Sequence, residues 1–446
     1  MAGFDWAEAS WGESRHMAIV ATGSAPVTSG SSDGQTYRAA LAMVTTLFFF
    51  WGFVTVLNDI LVPHLKSIFD LNYTKVMLIQ FAFFSAYFIF SIPSAKVIDT
   101  IGYKKTMVAG LVTMGVGAFL FIPAASVPSF ALFLGALMVL AAGITALQVA
   151  ANAYVSVLGP PETASSRLNL TQAFNSLGTT IGPYLGGLFI LNANASSSAT
   201  MAKMSTDALQ AYKIQEASSV KLPYTIIGIA LILFAVLIGM FKLPPMPEAR
   251  REAHQKSAAS IWKYTHLVLG MVGIFVYVGA EVSIGSFLIN YLSQPNIGNL
   301  SEVVAAKYVA YYWGGAMVGR FVGSALLQKI KTGTLLGIFG LVAALLVCTT
   351  MLTTGMVAMW SVILVGFFNS IMFPSIYTLG IARLGPLTGD GSGLMIMAIV
   401  GGAILPVVQG AIADRIGIHH AFILPVICYL YIAYYAFRGS RPVVPA

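Results

Sequence analysis

Residues 74–123 read TKVMLIQFAFFSAYFIFSIPSAKVIDTIGYKKTMVAGLVTMGVGAFLFIP. Two long apolar runs flank a short connection that holds Lys96, Asp99, Lys104 and Lys105. A spanning helix needs about 20 apolar residues, so this stretch predicts two membrane spans and a polar turn. The same alternation continues in both directions. Candidate spans fall at 38–62, 74–98, 105–123, 129–154, 168–193, 222–243, 264–292, 303–328, 333–353, 357–382, 391–412 and 418–437. The sequence therefore predicts an all-α polytopic membrane protein with twelve transmembrane helices.

Composition agrees. Of 446 residues, 57% are hydrophobic and 9% are charged, against roughly 45–50% and about 25% in soluble domains. A soluble globular enzyme is excluded, and so is a disordered chain. The 24 Lys and Arg outnumber the 16 Asp and Glu, for a formal charge of +8. Membrane proteins gather basic residues in cytoplasmic loops, so the excess implies no nucleic-acid partner. With the N-terminus inside, cytoplasmic segments hold about sixteen Lys and Arg and the opposite side about seven. Both termini are expected in the cytoplasm, and lipid is the expected surrounding partner. Cys348 and Cys428 lie inside apolar runs without metal-ligand spacing.

The order along the chain predicts two halves. Residues 1–37, rich in Ser, Gly, Ala and Thr, read as a disordered cytoplasmic tail. Residues 38–243 form one six-helix bundle, 244–263 a charged Pro-rich cytoplasmic linker, 264–437 a second bundle, and 438–446 a short cytoplasmic tail. Leu158–Gly159–Pro160 closes span four, and Leu384–Gly385–Pro386, 226 residues later, closes span ten. Two pseudo-symmetric six-helix halves are a known transporter plan. Gly178 and Gly182 on span five, and Gly315 and Gly319 on span eight, recur every fourth position. Small residues so spaced let helices approach closely, and these are expected to form the surface on which the halves rock.

Polar groups inside apolar runs mark the site, because they are costly in lipid and usually face a cavity. Asp59, beside Asn58 in the run Trp51–Asp59, is the leading one. An acidic side chain is expensive to bury charged. Asp59 is therefore the expected ion-coupling group, loading a proton on one side and releasing it on the other. Tyr277 and Glu281 share a face of span seven. Gln148 with Asn152 and Gln172 with Asn175 do the same on spans four and five. Gln80, Asn290, Asn369 and Gln409 continue the set. Amides both donate and accept, which suits an uncharged ligand with many hydroxyls. Phe373 and Tyr377 add an apolar wall on span ten. No Lys or Arg reads as a mid-span cation facing that cavity, which again argues for a neutral substrate. The sequence holds neither a Gly-x-x-x-x-Gly-Lys-Ser/Thr phosphate loop nor a paired-His metal site, so no ATP, metal or other cofactor is expected and the chain is not an enzyme.

Several runs resemble the major facilitator superfamily. Pro93–Lys105 keeps Asp99, Gly102, Lys104 and Lys105 of its loop motif between spans two and three. A sharper resemblance, to the fucose/glucose/galactose:cation symporter branch, rests on Leu57–Asn58–Asp59–Ile60–Leu61–Val62–Pro63, Ala150–Ala151–Asn152, Arg167–Leu168–Asn169–Leu170 and Phe174–Asn175–Ser176. It continues through Tyr277–Val278–Gly279–Ala280–Glu281, Gly319–Arg320–Phe321 and Phe373–Pro374–Ser375–Ile376–Tyr377.

The resemblance implies that Asp59 couples protons and that the loop residues, with Arg320, serve gating. Fucose transporters of the branch have a glutamate where this chain has Gln148. With Glu281, that difference is similar to the bacterial glucose/galactose transporters. The expected activity is inward symport of a neutral hexose with a cation, a proton favoured, by a monomer in the bacterial inner membrane. Sodium coupling, uniport, or transport of N-acetylglucosamine, fructose or fucose are the alternatives. Outside transport, the alternative is a sugar-sensing receptor on a transporter scaffold.

Overall fold

The computed structural model describes residues 31–69, 73–127, 129–190, 220–244 and 261–442, with a few isolated positions between 205 and 218. Within these, the backbone alone is described for 31–36, 57–69, 73–78, Gln80, 183–190 and 302–303, so the side chains of Asn58, Asp59 and Gln80 lie outside the described residues. Every long element described is helical. The first half contains α1 (Ser31–Phe69), α2 (Tyr73–Ser126), α3 (Phe130–Val157), α4 (Ala164–Ile190) and α5 (Lys221–Met240). The second contains α6 (Thr265–Leu292), α7 (Glu302–Leu326), α8 (Thr332–Leu352) and α9 (Gly355–Asn369). It continues through α10 (Met372–Gly380), α11 (Thr388–Met397), α12 (Gly401–Ile416) and α13 (Ile423–Tyr434). Because α1 starts at Ser31, the tail expected through residue 37 ends earlier than the sequence predicts.

Among the described residues, nine segments are long and apolar enough to cross a membrane. The longest belongs to α2, whose 54 residues would reach about 81 Å against a hydrocarbon core of about 30 Å. The chain turns back inside it at Gly102, where φ is 79° and ψ 166°, a combination open essentially to glycine alone. Two passes result, as residues 74–123 predict. Helices α4 and α7 also reach spanning length but carry Arg167, Asn169, Gln172 and Asn175, and Lys307 and Arg320. Among the described residues, counting α2 as two passes and adding α4 and α7 gives twelve long helical segments.

Spans ten and eleven are interrupted. The break between α9 and α10 falls at Ser370–Ile371, just before Pro374. The proline ring would clash with the carbonyl four residues back. The break between α11 and α12 is a 3-10 turn over Ala398–Val400, before Gly401 and Gly402. The two Leu-Gly-Pro closures do match: Gly159 and Gly385 both have positive φ, 90° and 56°, and a short 3-10 turn accompanies each.

The glycines expected at the interface of the halves instead pack within each half. A Cβ on Gly178 would lie 2.3 Å from Phe49 O, and one on Gly182 2.3 Å from Val56 Cγ1, both on α1. On Gly319 it would lie 2.6 Å from Phe367 O, and Gly315 likewise faces Phe367, both on α9. Glycine is required there because backbones touch, which makes these seams rigid. The halves meet through other surfaces: α4 against α7 and α10, and α11 against α2 and α3.

Candidate functional site

The face of α4 that meets the second half is polar, and it leads to a cavity. Ser165 Oγ lies 2.5 Å from Thr378 Oγ1, and Ser166 Oγ donates to Ser324 O at 2.7 Å. Asn169 Nδ2 donates to Arg320 O at 2.6 Å. Further along, Arg320 Nη1 reaches back across the halves to Ser176 Oγ and to Gln172 O. A second tie joins Ser392 Oγ on α11 to Val149 O on α3, at 2.7 Å. These bonds close the halves on one side, here called the linker end because residues 241–244 and 261–264 lie there.

Beyond the ladder sits a cavity of about 140 Å³ lined by both halves. Gln148 and Gln172 come from the first half, and Tyr277, Glu281, Arg320 and Phe373 from the second. Each polar group is held from behind. Gln148 Nε2 donates to Tyr87 OH at 2.7 Å, and Gln172 Nε2 to Asn152 Oδ1 at 3.3 Å. Tyr277 OH donates to Glu281 Oε1 at 2.8 Å, and Tyr312 OH to the Glu281 backbone carbonyl at 3.3 Å. Asn369 Nδ2 in turn donates to Tyr312 OH at 2.8 Å. Glu281 and Arg320 line one cavity and attract one another, yet no direct bond joins them. Arg320 Nε has no partner. A ligand bearing hydroxyls can donate to the carboxylate and accept from the guanidinium at once.

Arg320 thus corrects the expectation that no mid-span cation faces the cavity. The glycines around it, Gly315, Gly319 and Gly323, bring α7 close to its neighbours and so turn the arginine's face toward α4. Other expected ligand residues stand behind the cavity. Asn152 braces the lining Gln172, Asn369 holds Tyr312 behind Glu281, and Tyr377 OH lies 2.5 Å from Ser392 Oγ while its ring stacks on Phe373. Asn175 Nδ2 donates to Phe48 O at 3.0 Å, which ties α4 to α1. Asn290 is exposed near the end of α6, about two and a half turns beyond Glu281. It does not line the cavity, because α6 outruns it. The lining also includes Trp51, Val278, Pro374 and Ile399, which the sequence did not single out. Trp51 opens the Asp59 run, and Pro374 follows Phe373 at the helix break, so position was the available signal.

The residues expected to serve gating also have places. Lys104 Nζ donates to Gly239 O at 2.8 Å, while Lys105 is exposed. A Cβ on Gly389 would lie 3.5 Å from Asp99 Oδ1, so the Asp99 carboxylate rests against the first turn of α11.

Residues 40–399 match the family profile described as Major Facilitator Superfamily. The chain is 53% identical over 416 residues to a glucose/galactose transporter of Brucella abortus, covering 93% of this chain and 98% of that protein. It is 35% identical to the L-fucose-proton symporter of Escherichia coli, covering 92% and 95% respectively. Its fold is similar to a crystal structure of FucP, a major facilitator transporter in the outward conformation. That match has a TM-score of 0.85 and 34% identity, and covers 90% of this chain and 98% of the other.

Proposed function

The chain is a multi-pass membrane transporter of the Major Facilitator Superfamily, and from that premise we propose that it imports a neutral hexose of the glucose/galactose type together with a proton. The observation that carries the substrate class is the cavity shared by both halves. Its polar lining is two amides, one phenol, one carboxylate and one guanidinium, with the two charges facing a common space and not bonded to one another. Opposite charges in one cavity leave no net demand for a charged ligand. Their free atoms instead suit adjacent hydroxyls, which donate to Glu281 and accept from Arg320. Phe373 and Trp51 supply the apolar faces against which a sugar ring packs.

Proton coupling is assigned to Asp59. Trp51 lines the cavity, and Asp59 lies eight residues further along α1, about 12 Å at 1.5 Å per residue. Protonation removes the cost of carrying that carboxylate through a closed state. Alternating access follows from the linker-end ladder: those bonds must part for the cavity to open on that side. The linker end is assigned to the cytoplasm of a bacterial inner membrane, and the unit to a monomer.

Uptake of labelled glucose into proteoliposomes, under an inward proton gradient, an inward sodium gradient or neither, tests the proposal. Accumulation under the proton gradient alone is expected. Accumulation under sodium alone would reassign Asp59 as a sodium ligand, and equal equilibration in all three would make the protein a uniporter.

A further inference from the structure

Two turns at opposite ends of the molecule share a pattern. Asp99–Thr100–Ile101–Gly102–Tyr103–Lys104 joins the two passes of α2, and Asp414–Arg415–Ile416–Gly417–Ile418–His419 follows α12. Both read Asp-x-Ile-Gly, with a basic residue five positions after the aspartate. Their backbones agree as well: Gly102 has φ 79° and ψ 166°, Gly417 has φ 83° and ψ 152°.

The hydrogen bonds repeat too. Lys104 Nζ donates to the carbonyl of Gly239, the second-last residue of α5, at 2.8 Å. His419 Nε2 lies 2.7 Å from the carbonyl of Met351, the second-last residue of α8. Inverted repeats of three spans nest within each six-span half of this architecture. Taken with the parallel repeat that relates the two halves, they relate a turn at one membrane face of one half to a turn at the opposite face of the other.

The two aspartates differ in what they touch. The Asp99 carboxylate is half-buried against Gly389 in the first turn of α11, across the halves. Asp414 is exposed at the far end and, among the described residues, makes no hydrogen bond or ion pair. By the same symmetry the counterpart of the first turn of α11 is the first turn of α2, and the two elements stand at one level. Gly402 on α12 meets Phe84 on α2. Asp414 lies twelve residues from Gly402 toward the far end, and Tyr73, where α2 begins, lies eleven residues from Phe84 in the same direction. These are axial rises of about 18 Å and about 16 Å.

We propose that Asp414 is the far-end latch of the transport cycle: when the linker end opens, its carboxylate docks on the first turn of α2 as Asp99 now docks on α11. The positive dipole end of a helix start favours a carboxylate in either seat. Each latch holds only while the other is open, which gives alternating access two opposed stops. Lys104 and His419 are positioning residues that fix their turns to a helix end.

The latch rests on the transporter assignment but is tested apart from the sugar. A cysteine pair, Thr74→Cys with Arg415→Cys, is placed in the full chain carrying Cys348→Ser and Cys428→Ala, and disulfide yield is read in proteoliposomes. Asp414→Asn is expected to lower the yield about threefold and Asp99→Asn to raise it about threefold. The double variant should return near the parent value, because opposed stops cancel. Asp414→Glu should keep the parent yield, which separates loss of the carboxylate from misfolding. A yield unchanged by Asp414→Asn, or two aspartate variants shifting it the same way, would overturn the latch. A chain that cross-links as expected yet carries neither glucose nor galactose would sink the sugar assignment and leave the latch standing.

Discussion

The two walls of the cavity are built on different principles. The first half presents Gln148 and Gln172, neutral groups braced by Tyr87 and Asn152 within that half. The second presents Glu281 and Arg320, and only the carboxylate is braced within its own half, by Tyr277. Arg320 reaches across to Gln172 O and Ser176 Oγ. A neutral wall can bind hydroxyls in either state of the cycle. The charged wall is different, since its cation also helps to hold the linker end shut. A sugar that draws the Arg320 guanidinium toward itself weakens that closure. Under the proposed function, both walls would recognise the sugar and only the charged wall would link binding to movement.

Removing the charge that balances Arg320 is the strongest way to break this contrast. Glu281→Gln keeps the size of the side chain but leaves a buried guanidinium facing a neutral amide. Hydrogen bonds to charged groups contribute about 1.5–3 kcal/mol, so glucose counterflow is expected to fall about 10- to 100-fold. A Glu281→Gln protein that exchanges glucose at the parent rate would show that the carboxylate is a bystander.

Arg320→Lys comes next. It preserves the charge and removes the planar fork that reaches two acceptors at once. Counterflow should fall about tenfold, near the effect of one charge-assisted bond. Combining it with Glu281→Gln should cost less than the sum of the two, because both variants disturb one interaction. Strictly additive losses would separate the two residues functionally.

What the sequence could and could not reveal follows the same division. Gln148, Tyr277 and Glu281 were legible because a polar group inside an apolar run has few harmless explanations. The passes were legible from run length, and the turn at Gly102 from the short polar connection between two runs. Arg320 was missed as a cavity cation because its facing depends on how closely α7 packs, which the spacing of its glycines does not specify. Those glycines were assigned to the wrong seam for a related reason: a small-residue repeat predicts close approach and not the identity of the partner. Asn290 failed through height, since a helix can carry an amide of the right type past the end of the cavity. The Asp59 seat remains an assignment from sequence, as its side chain lies outside the described residues.

The smallest expected effect is on the neutral wall. Tyr87→Phe removes only the hydroxyl that accepts from Gln148 Nε2 at 2.7 Å, while the ring keeps its contacts with Phe83 and Phe84. The amide stays in place but loses its orientation, so the sugar must hold it at a cost of about 1 kcal/mol. Glucose affinity, measured by isothermal titration, is expected to fall about fivefold. The disulfide yield of the Thr74/Arg415 pair should not change, because Tyr87 touches no bond of the linker-end ladder. That combination would place the neutral wall in recognition alone. A shifted cross-link yield with unchanged affinity would reverse the roles given to the two walls.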